Sequence, residues 1–210
     1  ILNYIIVFNR IKMLKEIYFN SKSKEFYLLS NFYGGVESNY MKDRFMDKEV
    51  KELFETFETL DTDNFIHYLM VLQPNKKHWT EAKFKYWMKN GEPIKGILSQ
   101  LVGTSVKHTA AGKKRIKVIK QLTGITGDLI IKPNSTDQEK KELMLKLLRK
   151  KFSKKKFADV LLSTGDAVLH EKPMRGTPNN WTFKNGEGGD WLGLLLMQLR
   201  QEIKSKTNHH

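Results

Sequence analysis

The chain has 210 residues, with 37 Lys and Arg against 23 Asp and Glu, a formal net charge of +14. That length suffices for one domain with a sizeable core, and the charge attracts nucleic acid, nucleotides and acidic membrane surfaces. A hydrophobic fraction of 40% excludes a disordered chain, and the absence of cysteine excludes disulfides, thiolate metal sites and cysteine nucleophiles while fitting a reducing, cytoplasmic (intracellular) setting.

In chain order, residues 1–12 (ILNYIIVFNRIK) are apolar. Their uninterrupted apolar stretches are far shorter than the ~20 residues that span a bilayer, and they lack the small-residue cleavage site of a signal peptide. They read as an extension ahead of a native start at Met13, with one domain over residues 13–205 and a disordered tail over 206–210. No membrane partner is expected.

Ile17 to Phe19 and Phe26 to Leu29 read as short strands around the turn-like Asn20 to Ser23. After the Gly34-Gly35 turn a helical pattern begins near Glu37, and Tyr40, Met41, Phe45, Val50, Leu53, Phe54 and Phe57 give it one apolar face. Asp61 to Asn64 is a polar break with cap residues, and Phe65 to Leu72 a short helix that stops before Pro74. Thr80 caps a helix carrying Phe84, Trp87 and Met88 that ends at Asn90-Gly91. Pro93 opens the next, with Ile94, Ile97, Leu98, Leu101 and Val102 on its face and Gly103 as its stop.

Thr104 to Lys114 reads as a basic loop before a helix through Ile116, Ile119 and Leu122. Thr136 and Glu139 have the spacing of a capping box and open a helix that runs through Phe152. Lys154 to Lys156 starts a short helix ended by Gly165, Ala167 to Glu171 alternates like a strand, and Lys172 to Gly189 is a long loop of the kind that is often functional. Asp190 is placed to cap a final helix with Leu192, Leu195, Leu196, Leu199 and Ile203 on its face. The sum is an α+β fold, helix-dominated, with a few short strands.

Familiar motifs fail. Asp61-Thr62-Asp63-Asn64 begins like a calcium loop, but the sixth position is not glycine and Leu72 stands at the twelfth. Gly103 is not followed by P-loop residues, and Gly186 to Gly189 lacks the strand that precedes a dinucleotide fingerprint. His67, His78, His108 and His170 show no metal-ligand spacing, so neither a metal nor a cofactor is expected.

Five segments at element ends stand out: LSNFYGGVE at 29–37, LLSTGD at 161–166, AVLHE at 167–171, NNW at 179–181 and WLGLLLMQLR at 191–200. In this order, with Lys151-Phe152 ahead of the second, they resemble the NADAR (YbiA-like) family over roughly Tyr18 to Ile203. The chain departs from the family pattern at Ser38, where the family has His after Glu, at Arg44, where it has Lys, and at Thr182, where it has Gly.

The resemblance implies a YbiA-like domain and an N-glycosidase, a hydrolase of an ADP-ribosylated or ribosylated substrate. Some members act on early riboflavin-pathway intermediates and others remove ADP-ribose from guanine in nucleic acid. The basic charge favours the second, with DNA or RNA as partner. A non-catalytic module that binds ADP-ribose or a nucleotide is the rival reading.

Such chemistry needs a carboxylate to activate water and donors for the leaving base and phosphates. Glu37, after two glycines and at a helix start, is the expected water-activating carboxylate. Glu171, at a strand end, is the second, and Asp166, after Gly165, is expected on ribose hydroxyls. Asn31 and Phe32 join the substrate site through the SNF resemblance. Trp181 is placed to stack on a base. Gly188 and Gly189 lie before a helix N-terminus, a natural anion site, with Asp190 beside them competing for the same amides. Arg44 and Arg175 offer forks to phosphate oxygens. Glu37, Trp181 and Asp166 are expected to line one pocket.

Overall fold

The computed structural model describes residues 15–61, 63–64, 66–67, 81–102, 109–133 and 135–207. The expected extension over 1–12, the start at Met13, the stop before Pro74, the caps at Thr80 and Gly103, His78, His108 and residues 208–210 lie outside the described residues. The helix expected from Phe65 to Leu72 is described only in part, with 63–64 and 66–67 helical.

The fold is α+β and helix-dominated. Its described elements are β1 (Glu16–Phe19), a 3-10 turn (Tyr27–Leu29), α1 (Val36–Asp43), α2 (Lys48–Thr59), α3 (Glu81–Lys89), α4 (Pro93–Val102), α5 (Thr109–Thr123), α6 (Asp137–Phe152), α7 (Lys155–Ser163), β2 (Val168–Glu171) and α8 (Trp191–Thr207). None of the described helices is long and apolar enough to cross a membrane. The chain divides into two compact units, residues 31–151 inserted between 1–30 and 152–210.

In the discontinuous unit, β1 and β2 pair in parallel, Glu16 opposite Val168 through Phe19 opposite Glu171. Alternation buries Ile17 and Phe19 of β1 while Glu16 and Tyr18 face out. Parallel strands need a long crossover, and here the inserted unit lies within it. Helix α8 packs on β2, and α7 packs on α8 and on the 3-10 turn. The core holds Phe19, Leu29, Leu161, Leu169, Leu192 and Leu196, each contributing about 1.5–3 kcal/mol of burial.

Gly193 lets α8 approach β2. A Cβ there would collide with the Leu169 carbonyl.

In the inserted unit, α4 is the hub, packed by α1, α2, α3 and α5. It buries Ile94, Ile97 and Leu98 among Val50, Phe54 and Phe57 of α2, Phe84 of α3 and Ile119 of α5. The four- and three-residue spacing of Val50, Phe54 and Phe57 makes the core face of α2. Gly96 admits the Trp87 side chain, which a Cβ would meet at 2.7 Å.

Four local expectations change. Phe26 to Leu29 is not a strand: β1 takes β2 as its partner, and Tyr27–Leu29 coils as a 3-10 turn that buries Leu28 and Leu29. The apolar face from Glu37 to Phe57 is two helices, broken where Met46 donates to the Ile130 carbonyl and Lys132 to that of Arg44. The described part of the expected basic loop, 109–114, is the first half of α5. Lys206 and Thr207 of the expected tail are helical. The capping box stands: Glu139 donates its amide to Thr136 Oγ1 at 3.2 Å and accepts the Thr136 amide at 2.6 Å.

Gly193→Ala is expected to cost about 1–3 kcal/mol by overpacking, read as a lower Tm. Gly127→Ala, with nothing within 4 Å of the added carbon, is expected to change stability by less than about 0.5 kcal/mol. Equal effects from the two would refute the close-approach role of Gly193.

Candidate functional site

The inserted unit gathers charged and aromatic side chains where α1 and α4 begin. The Gly34-Gly35 turn places Val36 as the first residue of α1, and Gly34 donates to the Asn90 carbonyl at 2.8 Å. Both glycines have positive φ, 82° and 81°, a backbone state that strains other residues. The turn is thereby seated on the turn at Asn90 and Gly91, just ahead of α4.

Glu37, in the first turn of α1, is ion-paired with Lys95 in the first turn of α4. The partners are unlike: the Lys95 side chain is 4% exposed and that of Glu37 42% exposed. A buried ammonium therefore holds a carboxylate that still reaches solvent. The ammonium also lies 4.2 Å from the centroid of the Phe32 ring and 5.4 Å from that of Trp87, within reach of cation–π attraction. The two rings pack at 5.3 Å.

Glu92, three residues before Lys95, is fully buried. Its Oε2 accepts the Ser38 amide at 3.1 Å and the Ser38 hydroxyl. Burial pushes its carboxyl up to about 7, against the pull of Ser38, Lys151 and the Gly35 amide toward the charged form. Glu92 Oε1, Asn31 Oδ1 and Asn90 Nδ2 are buried without a hydrogen-bond partner among the described residues. Of the expected residues, Asn31, Phe32 and Glu37 fall in this unit, and Phe32 and Glu37 meet at Lys95. Arg44 is exposed, at the end of α1, beside Tyr40, Asp43 and Lys132.

The discontinuous unit holds the other expected residues. Glu171 ends β2 and accepts from the Ser30 hydroxyl at 3.3 Å. Asp166 is exposed and paired with Lys204 at 2.8 Å. Trp181 packs edge-on against Trp191, their centroids 5.1 Å apart. Arg175 is exposed in the long loop. Of the residues expected to line one pocket, Glu37 belongs to the inserted unit, and Trp181 and Asp166 belong to the discontinuous one.

The glycine-rich approach to α8 differs from a phosphate cradle. The amides of Gly189, Trp191 and Leu192 already donate to the carbonyls of Asn179, Asn180 and Trp181. Gly188 and Gly189 are glycines because a Cβ at either would strike the backbone of Thr182 or Asn180. Asp190 keeps the backbone half of a cap, its carbonyl accepting from Leu194 at 3.0 Å. Its carboxylate goes to His170 Nδ1 at 2.7 Å. His170 is buried, stacked between Tyr18 at 4.8 Å and Phe183 at 4.6 Å. Among the described residues no group of three or more His, Asp or Glu side chains is placed to hold a metal.

Sequence reasoning missed Lys95, Glu92 and Trp87. A signal was present. A lysine in the first turn of a helix opposes the macrodipole, and Lys95 stands there among Ile94, Ile97 and Leu98. Such a lysine calls for an acidic partner.

The titration of Glu92 gives a test. Its carboxyl is raised from 4.5 to about 7, so the folded state binds more protons than the unfolded chain across that interval. Stability contributed by this group therefore falls as pH rises from about 4.5 to about 7, by on the order of 3 kcal/mol. Glu92→Gln keeps an acceptor for Ser38 and removes the titration. Urea unfolding from pH 4.5 to 8 should show wild type losing stability relative to the variant by that amount; a difference independent of pH would overturn it.

No protein-family model matches the chain, and no curated protein or solved structure matches it.

Proposed function

We propose that the protein is an N-glycosidase that hydrolyses the bond between a ribose and a base in an ADP-ribosylated or ribosylated substrate, with Glu37 as the carboxylate that activates water. The observation that carries this reading is the Glu37–Lys95 pair: a solvent-reaching carboxylate held by a buried ammonium against the Phe32 and Trp87 rings. The ion pair restrains the carboxylate, and a restrained position is what general-base chemistry requires.

In the proposed step the bond from the anomeric carbon to the base nitrogen breaks. Its electron pair leaves with the base, which takes a proton from solvent. Water bonds to the anomeric carbon and gives its proton to Glu37, whose charge also favours the oxocarbenium-like sugar. The order of motifs from LSNFYGGVE to WLGLLLMQLR supports the same activity through the NADAR resemblance. ADP-ribosyl-guanine in nucleic acid is the favoured substrate, because the +14 charge suits a polyanion; a riboflavin-pathway intermediate is second. The cysteine-free chain suits the reducing cytoplasm.

A second reading, a non-catalytic ADP-ribose or nucleotide-binding module, draws on the same pair: the Glu37 carboxylate already has a cationic partner, which satisfies it without a substrate. Glu37→Gln separates the two. For the hydrolase, single-turnover rates on ADP-ribosylated DNA, ADP-ribosylated RNA and riboflavin-pathway intermediates, with products identified by mass, should fall about 10²-fold or more while binding is nearly retained. A folded variant with wild-type rates removes Glu37 from the mechanism. Binding by wild type without any turnover establishes the module.

A further inference from the structure

We propose that a lysine-walled groove on the inserted unit binds the sugar–phosphate chain of a single-stranded nucleic acid. The groove, about 330 Å³, is lined by Lys42, Lys51, Lys132, Lys146 and Lys150 with Asp43 as its acid and Leu143 and Leu147 among its apolar residues. It shares Asp43, Lys132 and Leu143 with a second depression of about 220 Å³ that adds Arg44, Lys140 and the Tyr40 ring. The two adjoin at those three residues and make one run of largely basic lining.

The composition of that run is not that of the chain. Lysine and arginine outnumber acids 37 to 23 overall, but five to one in the larger depression. Lys132 is neutralised by Asp43 and Lys42 by Glu55, whereas Lys51 and Lys146 make no ion pair with a described residue. Crowded like charges raise the energy of the folded state. Stability gives no reason to gather them, while a bound polyanion does, since each neutralised phosphate releases a counterion.

Geometry selects a strand. Lys146 and Lys150 stand one helical turn apart on α6, about 6 Å along its axis, and Leu143 and Leu147 have the same spacing. Positive side chains beside an apolar strip and an aromatic ring are the parts that hold a backbone and let bases rest on carbon. A membrane surface fits less well. Interfacial binding needs protruding apolar side chains, and the exposed large hydrophobics of the described residues, among them Met46, Tyr86 and Ile130, do not line the groove. Lys42 lies five residues after Glu37 on α1, about 7.5 Å along the axis and about 140° around it, so the groove occupies a different face of that helix from Glu37.

The inference rests on charge and shape, and its test involves no turnover, so it and the glycosidase reading can fail separately. A fluorescein-labelled single-stranded oligonucleotide is titrated with the full chain at several salt concentrations, and binding is followed by anisotropy. The variant K51E/K146E is compared with K22E/K206E, which makes the same charge change on the other unit; melts establish that both fold.

The groove variant should weaken binding at least tenfold and reduce the slope of log K against log salt by about 1–2, and the control pair should change neither. Equal losses in both variants would reduce the effect to net charge and overturn the proposal. So would wild-type binding by K51E/K146E, or a loss confined to phosphatidylserine vesicles run in parallel.

Discussion

Two charged groups buried three positions apart at the start of α4, Glu92 and Lys95, set the terms for the inserted unit. A buried charge without a partner costs several kcal/mol; the start of α1 pairs Lys95 and supplies Glu92 with donors, although burial still raises the Glu92 carboxyl to about 7. Glu92 takes the amide and hydroxyl of Ser38, and Lys95 takes the carboxylate of Glu37. Adjacent residues of one helix thus serve adjacent needs of another. The Gly34 amide on the Asn90 carbonyl adds a third tie at the same place. The apolar remainder of α4 then fills the core among α2, α3 and α5. The orientation of Glu37 follows from this frame and not from its own helix.

In the discontinuous unit the governing constraint is close approach of backbones. Gly193 brings α8 onto the Leu169 carbonyl, and Gly188 and Gly189 bring the end of the long loop onto residues 180–182. The loop carbonyls of Asn179, Asn180 and Trp181 then accept the amides that lead into α8. A helix N-terminus left open to solvent is an anion site; here the chain itself occupies it. Asp190, at φ 51°, turns its carboxylate onto His170, where burial raises its carboxyl above the usual range while the histidine pulls it down. These glycines hold the architecture together, and any chemistry of this unit depends on what they allow to pack.

The charges of the inserted unit divide by depth. Of those inside, Lys95 is ion-paired with Glu37, and Glu92 accepts from Ser38, because an uncompensated buried charge is costly. Those along the groove are lysines with few acids, because water screens what the interior cannot. The same α1 carries both kinds: Glu37 and Ser38 face the buried pair, while Asn39, Lys42 and Asp43 face the groove. Such a helix joins a fixed interior site to an electrostatic surface within two turns.

Much of the fold was legible in the sequence. The Leu192 to Leu199 face of α8, the capping box of α6, the strand at residues 168–171 and the glycine stops at Gly91 and Gly165 are local signals. Each arises from forces acting within a few residues of chain. The glycine-rich entry to α1 likewise marks the helix start that carries Glu37 in its first turn. What the tertiary structure alone decided were the partners. Lys95 is 58 residues from Glu37, and Glu92 is 54 from Ser38. Phe26 to Leu29 has residues suited to a strand, but its neighbour across the sheet was taken by residues more than a hundred positions later in the chain. Periodicity tells a residue which way to face and says nothing of what it will meet there. That is settled only when the helices pack and each buried charge must find its compensation in whatever element lies against it.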